Sequence, residues 1–353
     1  MTRLRALVVC PGRGSYGRAQ LGSLPAGDSI VASSVASIVA ALDRFRTALG
    51  RPAISALDRA PEFAPHLHVA GEHASLLTFA CTAVDLAAIA PDAIDVVGVT
   101  GNSMGWYSAL CAAGALDLDG AARLIETLGH YQAGNVIGAQ LMYPVADDQW
   151  RRSPALAAAV DAALDHPGVH VSIRLGGTIV LGVDADGLAH ARRVLAPIER
   201  GGMRYPVQLP LHSAFHTPLM AQTSARALRE LADLAIRSPS VALIGGDGVV
   251  HPPWASPAAL LAYTLGPQIV EPFDFERAIA TALGELGPDV VVLPGPGDSL
   301  GSAIAQVMID RGWRGLRDRA GFLAMQASER PIVLAMHRPE QRARVVAGAA
   351  TAS

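Results

Sequence analysis

The chain has 353 residues, 51% of them hydrophobic, a formal net charge of −3 and three cysteines. No uninterrupted apolar run reaches the ~20 residues of a membrane span and no basic run offers an electrostatic footprint for nucleic acid, so the apolar residues are expected to build an ordinary core, with neither a membrane nor a nucleic acid as partner. Cys10, Cys81 and Cys111 are an odd, scattered set, which points to a reducing cytoplasm and away from a disulfide framework or a zinc site.

In chain order, Leu4–Val9 reads as a buried strand whose apolar run is too short for a signal-peptide core. The glycine turn Pro11-Gly-Arg-Gly-Ser15 ends it. Residues 27–60 read as helices joined by loops, and 72–90 as a buried helix leading into a second strand, Ile94–Val99. His66, His68 and His73 fall in a proline-bounded loop without a carboxylate or cysteine cluster, so neither a metal nor a cofactor is implied.

The second strand runs into Gly101-Asn-Ser-Met-Gly105 and then a helical stretch, Tyr107–Ala113. A strand that reverses sharply into a helix strains its central residue, and glycines two positions to either side remove Cβ atoms that would collide across the turn. Ser103 is thereby exposed as a nucleophile, and the free N–H groups of the following helix face any oxyanion formed when it attacks a carbonyl. Two helices broken near Gly114 continue to about Ala133, with Asp117 and Asp119 at the start of the second.

From Gln140 to Pro210 the pattern becomes strand (Gln140–Val145), helix (Asp147–Leu164), strand (Val169–Arg174), a Gly176-Gly177 hairpin, strand (Thr178–Val183), helix (Asp186–Arg200) and strand (Arg204–Leu209). That order, βαββαβ, is the ferredoxin-like split unit and predicts a small inserted domain over 139–210. Beyond it, Thr217–Ala235, Pro257–Thr264 and Phe273–Leu286 read as helices, and Val241–Gly245 and Asp289–Leu293 as buried strands. The expected fold is α/β: a hydrolase-like parallel sheet covered by helices, made from 1–138 and 211–330, with an arginine-bearing, solvated tail over 331–353.

A serine nucleophile needs a base, and His216 stands where the inserted domain hands the chain back to the large one, a place where clefts form. Neutral imidazole accepts the Ser103 proton and returns it to a departing thiol. His212, four residues earlier, competes for the same role.

Together, Pro11-Gly-Arg-Gly-Ser15, Gly101-Asn-Ser-Met-Gly105, Ala214-Phe-His-Thr-Pro-Leu-Met220 and Gly295-Pro-Gly-Asp-Ser-Leu300 resemble the malonyl-CoA:acyl carrier protein transacylase family, in order and over residues ~5–310. The resemblance implies a ping-pong reaction in which Ser103 takes an acyl group from acyl-CoA and passes it to the phosphopantetheine thiol of an acyl carrier protein, in fatty-acid or polyketide biosynthesis. It also implies His216 as base, oriented by a main-chain carbonyl near Gln268, and an oxyanion hole made by the backbone N–H groups of Arg13 and Met104. The Gly295 turn would lie near the acyl pocket.

Departures from the family pattern fall in the acyl pocket. Arg13 stands where the family usually has Gln, Asn102 where it has His, and Trp106 where it has Glu. Leu128 occupies the place of the arginine that clamps a malonyl carboxylate, a charge-assisted pair worth ~1.5–3 kcal/mol. Arg123 is on another face of its helix and cannot substitute. Phe215, by contrast, matches the family's preference for unbranched acyl groups, because its ring would crowd an α-methyl group. These changes lead to the expectation that small uncharged acyl groups are accepted at least as well as malonyl, unless Arg13 swings in as a substitute clamp. Water competes with a thiol for an acyl-enzyme, so an acyl-carrier-protein hydrolase of the same fold is the alternative, and a non-catalytic carrier-protein docking module is another.

Overall fold

The computed structural model describes residues 3–24 and 32–346, so the start of the helical region expected from 27 and the last residues of the tail lie outside the described residues. The first strand, β1 (Leu4–Cys10), enters a glycine turn and is followed by helices α1 (Ala32–Ala48), α2 (Ile54–Asp58), α3 (Pro65–His68) and α4 (Gly71–Ala87). Strand β2 (Ile94–Gly101) then pairs parallel to β1, with Cys10 opposite Gly101 at their carboxyl ends. Helices α5 (Gly105–Ala112) and α6 (Leu118–His130) follow, α6 capped by the Asp117 carboxylate accepting from the Gly120 N–H.

The inserted unit comprises β3 (Ala139–Pro144), α7 (Pro154–Leu164), β4 (Val169–Arg174), β5 (Thr178–Val183), α8 (Ala185–Val194), a short hairpin of β6 (Ile198–Arg200) and β7 (Met203–Tyr205), and β8 (Val207–Gln208). Its sheet runs β4-β5-β3-β8 with every pair antiparallel, the ferredoxin-like arrangement expected from the sequence. Strand alternation gives this sheet two uses. Leu141, Tyr143, Ile179 and Leu181 pack in the unit's own core, whereas Met142 and Val180, on the other face, meet the large domain.

The chain returns through β9 (Ala242–Ile244), β10 (Val250–His251), β11 (Phe273–Asp274), β12 (Val290–Leu293) and β13 (Val333–Ala335). The large sheet has the order β10-β9-β2-β1-β12-β13, parallel except for the edge strand β10. Its two central strands are nearly continuous apolar runs, as expected where helices cover both faces. The short β11 joins the other sheet beside β4, Phe273 opposite Ile173, and so couples the two domains.

Several element boundaries differ from the sequence reading. Helix α7 begins at Pro154 because Ser153 caps it, while Asp147 closes a turn by accepting from the Gln149 and Arg151 N–H groups. Helix α8 stops at Val194, before Pro197, whose predecessor is disfavoured in helical geometry. Phe273 and Asp274 are strand and cap, and the helix starts at Phe275. The larger correction concerns the tail, which is not solvated over its described length. Ile332 to Met336 are buried, and β13 pairs in register with β12, Leu334 opposite Val292. Leu334→Ala should therefore cost about 2–4 kcal/mol of unfolding free energy by chemical denaturation. A change under about 0.5 kcal/mol, the value for an exposed tail, would refute this packing.

Candidate active site

The elbow is built by contact at the limit of atomic size. A Cβ on Gly101 would stand 2.2 Å from the Gly105 carbonyl carbon, and one on Gly105 would stand 2.2 Å from the Cys10 carbonyl oxygen. Both positions therefore exclude any side chain, and β1, β2 and α5 converge on one point. Ser103 is held there at φ 56°, a left-handed conformation that non-glycine residues adopt only when the surroundings impose it. Asn102 N–H donates to the Cys10 carbonyl at 3.0 Å and Trp106 N–H to the Ser103 carbonyl at 3.0 Å, which locks the turn between strand and helix.

His216 arrives from the other side, 113 residues later. Its segment crosses β5 at Gly182, where a Cβ would stand 2.5 Å from Thr217 Cγ2, so the strand itself makes room for it. The Ser103 Oγ to His216 Nε2 distance is 2.7 Å, and His216 Nδ1 lies 2.6 Å from the Gln268 carbonyl oxygen. A carbonyl only accepts, so Nδ1 carries the proton and Nε2 is left to accept from the serine hydroxyl. Gln268 uses its side chain as well: Nε2 donates to the Ser103 carbonyl at 3.1 Å, and Oε1 accepts from Tyr107 Oη at 2.6 Å. Burial pushes the His216 imidazole down to about 4, against a smaller upward pull from the Gln268 carbonyl, so the ring is neutral at ordinary pH.

Ser103, Tyr107 and His216 border an open cleft of about 680 Å³ between the domains. Asn102, Met104, Leu128 and Phe215 line it, as do Met142, Ile173 and Val180 from the inserted sheet and Leu300 from the Gly295 turn. The Asn102 Oδ1 is buried without a hydrogen-bond partner. Neither the Arg13 nor the Met104 backbone N–H has an acceptor among the described residues.

Trp106 is a correction. It does not wall the cavity: it is fully buried on the far side of α5, where its Nε1 donates to Thr264 Oγ1 at 3.0 Å and its ring meets Tyr263 edge-on. The residues of a helix next to an elbow diverge by about 100° per position, and Trp106 follows the face opposite the cavity. His212 is no base for Ser103. Its Nδ1–H donates to the Pro210 carbonyl at 2.9 Å and its Nε2 accepts from Arg13 Nε at 3.2 Å, while burial and the adjacent guanidinium push its imidazole down to about 3. Arg123 pairs with Asp233 on the surface, away from Leu128. His73 accepts from Arg46, and both His68 nitrogens face main-chain carbonyls. Sequence reading missed Gln132, whose Oε1 accepts from Arg13 Nη1 at 3.0 Å and from Ser213 N–H at 3.2 Å. It follows α6 in an irregular segment, and no local pattern marks it.

No protein-family model matches the chain. Over 147 residues, 41% of this chain, it is 29% identical to the polyketide biosynthesis protein ThaF of Burkholderia thailandensis, a match that spans 12% of that relative's length. Among solved structures, a malonyl-CoA:acyl carrier protein transacylase from Xanthomonas oryzae superposes with TM-score 0.72 at 22% identity, covering 97% of this chain and 98% of that one. The Synechocystis sp. PCC 6803 malonyl-CoA:ACP transacylase gives 0.70 at 18% identity, over 87% and 95%. A malonyl-transacylase solved in complex with its type II polyketide synthase acyl-carrier protein gives 0.71 at 16% identity, over 97% and 99%. The chain thus has the fold of the malonyl-CoA:acyl carrier protein transacylases, with the Ser103–His216 pair at the carboxyl edge of its large sheet.

Proposed function

We propose that the chain is a serine acyltransferase that moves an acyl group from an acyl thioester, acyl-CoA in the first instance, to the phosphopantetheine thiol of an acyl carrier protein in fatty-acid or polyketide biosynthesis. The observation that carries this reading is the relay from Ser103 Oγ through His216 to the Gln268 carbonyl, at 2.7 and 2.6 Å. Similarity to transacylases, one of them solved with its carrier protein, supports the choice of acceptor. The polyketide setting is suggested by the curated relative.

In the first half-reaction the Ser103 oxygen attacks the thioester carbonyl as His216 Nε2 takes its proton, and the tetrahedral oxyanion is met by the N–H groups of Arg13 and Met104. Collapse expels the CoA thiolate, which recovers the proton from His216. The carrier thiol then gives its proton to His216 and attacks the acyl-serine, whose oxygen leaves and is reprotonated. An orienting carbonyl in place of a carboxylate leaves the imidazolium formed in each step without a paired anion, so the proton is readily passed on to the leaving group.

Ser103→Ala should show no covalent acyl adduct by intact-protein mass spectrometry across a panel of acyl-CoAs, and an adduct on that variant would remove Ser103 from the chemistry. His216→Ala is expected to slow acyl loading by about 10²–10⁴. Near-normal loading would relocate the base.

Because the neutral imidazole is the competent form and burial holds its titration near 4, loading by the wild-type chain should be flat from neutrality down to about pH 5 and reach half its plateau near pH 4. A half-plateau near the ordinary imidazole value of about 6.5 would contradict that assignment.

Holo carrier protein should discharge the acyl-enzyme faster than water does. Equal discharge with and without several carriers would make the chain a hydrolase instead.

A further inference from the structure

Among the described residues, Arg13 is the only arginine or lysine lining the cleft beside Ser103, and no aspartate or glutamate lines it. The residue is 7% exposed, yet among the described residues no carboxylate pairs with it. Its acceptors are all uncharged: His212 Nε2 at 3.2 Å, Gln132 Oε1 at 3.0 Å and the Leu211 carbonyl at 2.6 Å. The other buried arginine, Arg46, sits against the Glu126 carboxylate, as a buried cation ordinarily must. Burial lowers the Arg13 guanidinium only to about 10, so it remains charged at neutral pH.

Of its five N–H groups three are used, and one on each terminal nitrogen has no acceptor among the described residues. The guanidinium also lies near Gly71, which packs against the backbone just after Leu128. A Cβ on Gly71 would be 2.5 Å from Arg13 Nη1 and 3.1 Å from the carbonyl oxygen of Gly129, the residue that follows Leu128. A second polar atom, Asn102 Oδ1, is buried in the same wall without a partner.

We propose that Arg13 is the specificity-determining residue of this cavity and that its guanidinium binds a carboxylate carried by the acyl chain, supplying from the first glycine turn the charge that Leu128 lacks. The inference rests on the reading of this cavity as the acyl pocket. It runs against the expectation of an uncharged acyl group, which leaned on Leu128, on Asn102 and on Trp106, the last now placed outside the cleft. His212 and Gln132 act as neutral positioning residues: they hold the fork by accepting from it, and neither neutralises it.

The test separates binding from chemistry. Affinities of malonyl-CoA and butyryl-CoA, similar in size and different in charge, are measured by calorimetry on Ser103→Ala, which cannot be acylated. Malonyl-CoA is expected to bind about 10- to 100-fold more tightly, the range for a charge-assisted pair. Adding Arg13→Gln should bring the ratio to within about twofold of one, and adding Arg13→Lys, which keeps the charge and loses the fork, should leave it intermediate. A ratio near one in the Ser103→Ala parent, a ratio that survives Arg13→Gln, or an equal loss of both ligands in Arg13→Gln would overturn the proposal. If Arg13→Gln does not fold, Arg13→Lys decides, and an unchanged ratio in it refutes the role. Acyl-enzyme formation is not read here, so a chain that fails to acylate Ser103 can still pass, and a transferase of neutral acyl groups would acylate Ser103 and fail.

Discussion

Gln268 is the residue on which the site depends. Its carbonyl fixes the His216 tautomer, its amide nitrogen holds the Ser103 carbonyl, and its amide oxygen takes the Tyr107 hydroxyl. One buried side chain and its own backbone thereby tie the elbow, the first turn of α5 and His216 into a single frame. Gln268 thus joins three distant parts of the chain, and a shift of about 1 Å in such a frame is enough to disable a proton transfer.

The frame is also electrically quiet. A histidine oriented by a carbonyl and buried to 1% exposure stays neutral, so the hydroxyl it faces is hydrogen-bonded to a ring nitrogen, Nε2, that carries no proton of its own. A carboxylate in that position would raise the imidazole's proton affinity and store charge near the nucleophile. Arg13, in the wall of the same cleft, is the only lysine or arginine lining it among the described residues, and its acceptors are all uncharged.

The cavity exists because two sheets meet. Period-two alternation on β3 and β5 turns Met142 and Val180 outward from the small core, and the carboxyl ends of β1 and β2 supply the turns opposite. Strand β11 belongs to the large domain in sequence and to the small sheet in space, and this shared strand resists separation of the two walls.

By itself the sequence determined the elements that local chemistry governs. Gly-x-Ser-x-Gly between an apolar run and a helix specified the elbow, because only glycine tolerates approaches of 2.2 Å from backbone atoms. Strand and helix periodicity specified the βαββαβ insertion, and the family resemblance pointed to His216 and Gln268. Tertiary structure alone decided the rest. Trp106 looked like a pocket wall because it adjoins the elbow, but the helix rotation sends it into the core. His212 and His216 are equivalent in composition, and only their partners, Arg13 for one and Ser103 for the other, distinguish them. The residues after 331 read as polar tail because arginines dominate their composition, while the short buried strand within them is recognisable only against β12. Contacts between residues far apart in the chain leave no local pattern, since each partner's side chain is compatible with many neighbours until the fold chooses one.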